Sequence, residues 1–139
     1  MSHTAKALVL HCIDYRFVHE TVHFMKAQGL IDQYDDVGAA GAAKNLVDPM
    51  NPNDPDFILR QIEIAKKLHD IQEVVIVNHR DCGAYGKGTF VNEQEEMERH
   101  TKDLKQAAAM ITERVPGITV RTYLARLKDD HRIEFDPIV

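Results

Sequence analysis

Two short stretches hold side chains able to bind a metal or carry acid–base chemistry. The first is HCIDYRFVHETVHF, residues 11–24. It contains a thiol followed at alternate positions by an acid and a base, Cys12-x-Asp14-x-Arg16, and it overlaps His19-Glu20-Thr21-Val22-His23. The latter spells H-E-x-x-H, with which one helix face offers two imidazoles to zinc and a glutamate as general base. The second stretch is HRDCG, residues 79–83, which puts His79 and Cys82 three positions apart. Thiolate and imidazole both suit zinc, at about 2.3 Å for sulfur and about 2.0–2.1 Å for nitrogen, and a catalytic zinc keeps three protein ligands and one open position. Cys12, His79 and Cys82 supply such a set. His11 is the nearby candidate for a fourth, but strand alternation points its side chain away from that of Cys12. A redox pair is disfavoured because no Cys-x-x-Cys provides a resolving thiol.

The helical histidine pair makes a poorer site. The extended peptidase pattern fails at Lys26 and Gly29, and the next glutamate after Glu20 is Glu63, beyond a separate loop. His19 and His23 are therefore expected at the surface or at a subunit contact.

The elements that must position these groups follow from patterning. Lys6–His11 (KALVLH) reads as a first strand. A helix is expected over Phe17–Gln28, capped by Gly29 in a left-handed conformation. A short extended piece, Tyr34–Val37, runs into the small-residue turn GAAGAAKN. Asp54 as cap and Pro55 at the first helical position open a second helix with Ile58, Ile62, Ala65 and Leu68 on one face. EVVIVNH, residues 73–79, has the continuous apolar character of a parallel strand covered on both sides. Asn92 and Glu95 start a third helix that turns Met97, Leu104, Ala108 and Ile111 inward until Pro116-Gly117. Two further strands, ITVRTYLARL and HRIEF, are joined by the turn at Lys128-Asp129-Asp130, the last as an antiparallel edge.

This alternation predicts an α/β fold: a single domain over residues 1–139, a three-layer sandwich around a mostly parallel sheet with an antiparallel edge strand. Ligands of such sheets bind beyond the carboxyl ends of the strands, where strand order reverses. If the 34–37 strand lies outside strand 1, Cys12, His79 and Cys82 converge there. The length of 139 residues suits one core. A net charge of −5, with scattered Lys and Arg, argues against nucleic acid. Apolar runs such as Ala7–Leu10 are too short to span a bilayer, and no signal-peptide core is visible. A cytoplasmic protein with reduced cysteines is expected.

The paired motifs CIDYR and HRDCG resemble the two zinc-binding signatures of the β-class carbonic anhydrases, and the likeness extends over most of the chain. The resemblance implies zinc held by Cys12, His79 and Cys82, with Asp14 and Arg16 as a catalytic pair beside the open position. It implies reversible hydration of carbon dioxide to bicarbonate by zinc-bound hydroxide, in a homodimer or higher homo-oligomer. Some family members use the equivalent aspartate as a fourth zinc ligand, so Asp14 stands as either ligand or catalytic partner. Two other readings stay open: a hydrolase of carbonyl sulfide or carbon disulfide, and a non-catalytic zinc-binding or regulatory protein closed by Asp14. The chain departs from its relatives at Arg80, where a small polar residue is usual, and at Ala39–Ala42, where asparagines are usual. It also has strand 1 almost at its start, where relatives carry a helical arm. Phe17, Val37 and Tyr85 are expected as pocket walls, and Gly83 as the residue that permits the turn after Cys82.

Overall fold

The computed structural model describes residues 3–139. Its elements are β1 (Ala7–His11), α1 (Tyr15–Ala27), β2 (Tyr34–Gly38), α2 (Lys44–Val47), α3 (Asp54–His69), β3 (Glu73–His79), α4 (Glu93–Arg114), β4 (Thr119–Leu127) and β5 (Ile133–Ile138), with a 3-10 turn at Gly83–Tyr85. The strands form one sheet in the order β2-β1-β3-β4-β5. All neighbours are parallel except β4 and β5. β2 lies outside β1, as the sequence required for the ligand groups to meet.

The period-2 alternation of the inner strands sorts the core into two halves. Leu8, Leu10, Val74 and Ile76 point to one face, where Ile58 and Ile62 of α3 meet Leu104, Ala107 and Ile111 of α4. Ala7, Val9, Val75 and Val77 point to the other, beneath Phe17 and Met25 of α1. Helices thus cover both faces, which is why β1 and β3 are buried along almost their whole length and read as unbroken apolar runs. Full burial of such a Leu or Ile is worth roughly 1.5–3 kcal/mol. No helix among the described residues is long and apolar enough to cross a membrane.

Several local expectations need correction. α1 begins at Tyr15, two residues early, because Asp14 Oδ1 accepts the Arg16 backbone N–H at 3.0 Å and caps the helix. Part of the expected small-residue turn winds into α2. Asp54 does not cap α3 but is its first residue, and its Oδ2 accepts the Asn51 N–H at 3.1 Å. Leu68 is 61% exposed, and Leu59 takes a place in the core. On α4 the buried face is Glu96, His100, Asp103, Leu104, Ala107 and Ile111, with Met97 and Ala108 only half-buried. Counting apolar residues alone misplaced that face, because three polar side chains find partners inside.

Candidate metal centre

β1 and β3 are parallel neighbours with His11 opposite Val77, so their carboxyl ends lie side by side. Cys12 follows one end directly, and His79 closes the other with Cys82 three residues on. The donor atoms of Cys12, His79 and Cys82 lie within 4.8 Å of one another, all three residues buried. The two sulfurs are 3.9 Å apart. Two bonds of about 2.3 Å meeting at a tetrahedral metal place sulfurs about 3.8 Å apart, so the pair is spaced for a shared ion.

His79 is oriented toward the same cluster. It lies on the α1 side of β3, where its ring stacks on Phe17 at 4.2 Å between centroids. Its Nδ1–H donates to the Arg80 carbonyl at 2.7 Å, which leaves the lone pair on Nε2. That Nε2 is buried and has no hydrogen-bond partner among the described residues. Buried polar atoms are nearly always paired, and an orphaned imidazole nitrogen facing two thiols is the donor set a zinc ion satisfies.

Only one of the two sulfurs, that of Cys12, is biased toward ionisation. The hydrogen bond from Cys82 drives the Cys12 thiol well below its ordinary range, helped by the Gly41 N–H at 3.4 Å. The same bond, with burial, pushes Cys82 up. Gly41 is required for that approach: its φ is +85°, and a Cβ there would sit 3.0 Å from Ala84 Cβ and 3.1 Å from Lys44 Cβ.

Asp14 stands beside the cluster, its Oδ2 3.7 Å from His79 Nε2. Arg16 grips it in a fork: Nη2–H donates to Oδ2 at 2.8 Å and Nε–H to Oδ1 at 3.1 Å. That hydrogen bonding holds the carboxyl at about 2, well below its ordinary 3.8. The other side of the guanidinium donates to Asp81, Nη1–H to Oδ2 and Nη2–H to the backbone carbonyl, each at 3.0 Å. A cavity of about 600 Å³ opens here, lined by residues including Asp14, Arg16, Arg80, Cys82, Lys87 and Phe90.

The remaining candidates lie elsewhere. Phe17 packs on His79, Tyr85 is buried against the two cysteines, and Val37 packs against the core, so none of the three lines the cavity. Gly83 has no positive φ; the left-handed residue of the loop is Asp81, at +57°. His11 turns away as expected, its Nε2 on the Asp36 carboxylate at 3.0 and 3.1 Å. His19 and His23 are exposed on α1 with their rings 4.4 Å apart, outside the Cys12–His79–Cys82 group.

Sequence reading missed the polar layer behind the site. Asn78 points to the α4 side of β3, where its Oδ1 accepts the Ala43 N–H and its Nδ2 donates to Tyr85 Oη and His100 Nδ1, each at 3.0 Å. Tyr85 Oη–H in turn donates to Asp103 at 2.9 Å. Glu96 accepts from Arg80 Nε–H and from the Asp81 backbone N–H, both at 2.8 Å. The available signal was Asn78 itself, an amide in a strand buried on both faces, together with Glu96, His100 and Asp103 at spacings of four and three.

Comparison with known proteins adds a family. Residues 2–133 match the family model described as "Putative carbonic anhydrase". An uncharacterized protein of Rickettsia bellii is 35% identical over 127 residues, covering 88% of this chain and 77% of that one. The uncharacterized protein RC0076 of Rickettsia conorii is 34% identical over 127 residues, covering 88% and 68%. Among solved structures, the fold is similar to the β-carbonic anhydrase CafA of Aspergillus fumigatus (TM-score 0.51, 16% identity, 96% of this chain and 76% of that chain). It is also similar to a structure in a study of two tetrameric β-carbonic anhydrases from Sordaria macrospora (TM-score 0.58, 14% identity, 96% and 81%).

Proposed function

The chain belongs to that carbonic anhydrase family, and from this membership we propose that it interconverts carbon dioxide and bicarbonate at a zinc ion held by Cys12, His79 and Cys82. The observation that carries the proposal is the unpartnered, buried His79 Nε2 facing two cysteine sulfurs 3.9 Å apart, with an Arg-held carboxylate 3.7 Å away. Zinc in such a site supplies Lewis acidity, lowering the pKa of a water it binds to about 7.

The chain's own groups do the rest. With a carboxyl pKa of about 2, Asp14 is ionised at neutral pH and accepts a hydrogen bond from the attacking water, aiming the oxygen lone pair at the carbon of the substrate. The same low pKa disqualifies Asp14 as carrier of the proton that the water gives up on ionising to the nucleophile. Arg16 engages both Asp14 oxygens, which keeps the carboxylate from swinging onto the metal and supports an open site over one closed by Asp14. The cavity admits substrate from solvent to the face where Asp14 and Cys82 are exposed to it.

Two further parts belong to this reading. A homo-oligomer is supported by the apolar side chains left uncovered around the site and along α1, with Ile13 62%, Tyr15 87% and Val22 47% exposed. Cysteine ligands that must stay reduced suit a reducing compartment, which supports a cytoplasmic location.

The test is stopped-flow carbon dioxide hydration by protein with one zinc per chain, across neutral to alkaline pH, beside Asp14→Ala. Zinc-dependent turnover that falls at least tenfold in Asp14→Ala supports the proposal. Zinc-loaded protein without turnover refutes the substrate, and the same protein is then assayed with carbonyl sulfide, since fold and metal do not fix the substrate.

A further inference from the structure

Resting on the reading of Cys12, His79 and Cys82 as ligands, we propose that Glu96 is a positioning residue for this centre. It fixes the Arg80–Asp81 turn, through that turn the guanidinium of Arg16, and through Arg16 the orientation of Asp14.

Glu96 lies on the inner face of α4 with only 8% of its side chain exposed. Packing alone is served better there by an apolar residue, because a buried carboxylate loses its hydration and needs replacement partners. Both of its oxygens are engaged, and by the ligand loop. Oε1 accepts Arg80 Nε–H and Oε2 accepts the backbone N–H of Asp81.

The residue so anchored carries the strain of the loop. Asp81 has a φ of +57°, a conformation disfavoured for L-residues other than glycine, although Asp and Asn visit it more readily than most. In that conformation its backbone carbonyl and carboxylate both meet Arg16, at 3.0 Å each. The guanidinium is consequently held from two sides, by Asp81 on one and Asp14 on the other. The Asp81 carboxylate is 88% exposed and is a weak anchor by itself. The carbonyl contact depends on the direction of the turn, and Glu96 sets that direction.

The helix grips the strand end on the other side of His79 as well. Asn78 donates to Nδ1 of His100, a fully buried ring whose unpartnered Nε2 is 3.9 Å from Glu96 Oε2. Residues 78 and 81 bracket ligand His79, and α4 holds both.

The test uses cobalt in place of zinc and azide as a probe of the open metal position. Wild type is expected to take one cobalt per chain, to show a thiolate-to-cobalt charge-transfer band, and to bind azide saturably in the visible spectrum. In Glu96→Leu, which preserves apolar packing on the helix, the charge-transfer band stays but azide affinity falls at least tenfold, because the released Asp14 competes for the position. Glu96→Gln keeps an oxygen for the Asp81 N–H and restores affinity to within about threefold. A cobalt-loaded Glu96→Leu protein that binds azide like wild type overturns the proposal. So does a wild type that takes cobalt and ignores azide. Amide exchange on metal-free wild type needs no variant and no metal: an Asp81 N–H protected well beyond its loop neighbours supports the relay, and one exchanging at open-loop rates overturns it. Absence of the thiolate band in wild type instead overturns the ligand assignment on which the proposal rests.

Discussion

His100 should make the fold sensitive to mild acid. The ring is fully buried, its Nδ1 accepts from Asn78 Nδ2, and its Nε2 has no hydrogen-bond partner among the described residues. Burial dominates and lowers its pKa from 6.5 to about 4; Glu96 and Asp103 pull the other way, and His79 and Arg99 add to the depression. Protonating Nδ1 would also set a donor against the donor of Asn78. In the unfolded chain the same imidazole takes up a proton below about pH 6.5, while the folded chain refuses it until about pH 4. Between these values the unfolded state binds more protons, so stability falls as pH falls. A gap of about 2.5 in pKa, at about 1.36 kcal/mol each, is worth about 3 kcal/mol. For a domain stable by roughly 5–15 kcal/mol that is a large share. The assay is urea unfolding followed by circular dichroism on metal-free wild type and His100→Gln, at intervals from pH 7.5 to 4. Gln retains an oxygen for Asn78 but does not titrate. Wild type should lose about 3 kcal/mol more than the variant across that range, at unchanged m-value. Parallel stability curves would refute the reasoning, and a His100 ring titrating near 6.5 by NMR would identify the faulty step.

Cys82→Ser should reduce bound zinc well below one per chain in equilibrium dialysis, while His23→Ala retains it; the reverse would relocate the metal to α1. Replacing Arg16 with Gln should return the Asp14 carboxyl toward its ordinary 3.8, measured by carbon-13 NMR of metal-free protein. Because the folded pKa is the depressed one, the Asp14–Arg16 pair stabilises fully above about pH 4 and loses its effect as pH falls through about 2. Tyr85→Phe strips the hydroxyl that joins Asn78 to Asp103 and should cost roughly 1–3 kcal/mol in urea unfolding. A change below about 0.5 kcal/mol would mean that water replaces the hydroxyl at no penalty.

The sequence by itself determined the alternation of strands and helices and the three residues able to converge at strand ends, while the place of β2 outside β1, on which their meeting depends, came from the tertiary structure. The first two rest on short-range rules. Continuous apolar runs mark β1 and β3, helical spacing marks α1 and α3, and the carboxyl ends of adjacent parallel strands open onto the same crevice. Only the tertiary structure decided how that crevice is held. The orphaned Nε2 of His79 depends on the Arg80 carbonyl, the left-handed turn sits at Asp81 rather than Gly83, and Gly41 brings a backbone N–H to Cys12 from another strand connection. Glu96, His100 and Asp103 had no place in the apolar pattern that marked the inner face of this helix, because charge in a sequence is scored against water. Once β3 presents Asn78 and the Arg80–Asp81 backbone to α4, partners separated by many residues replace that water, and the polar face of the helix becomes its inner one.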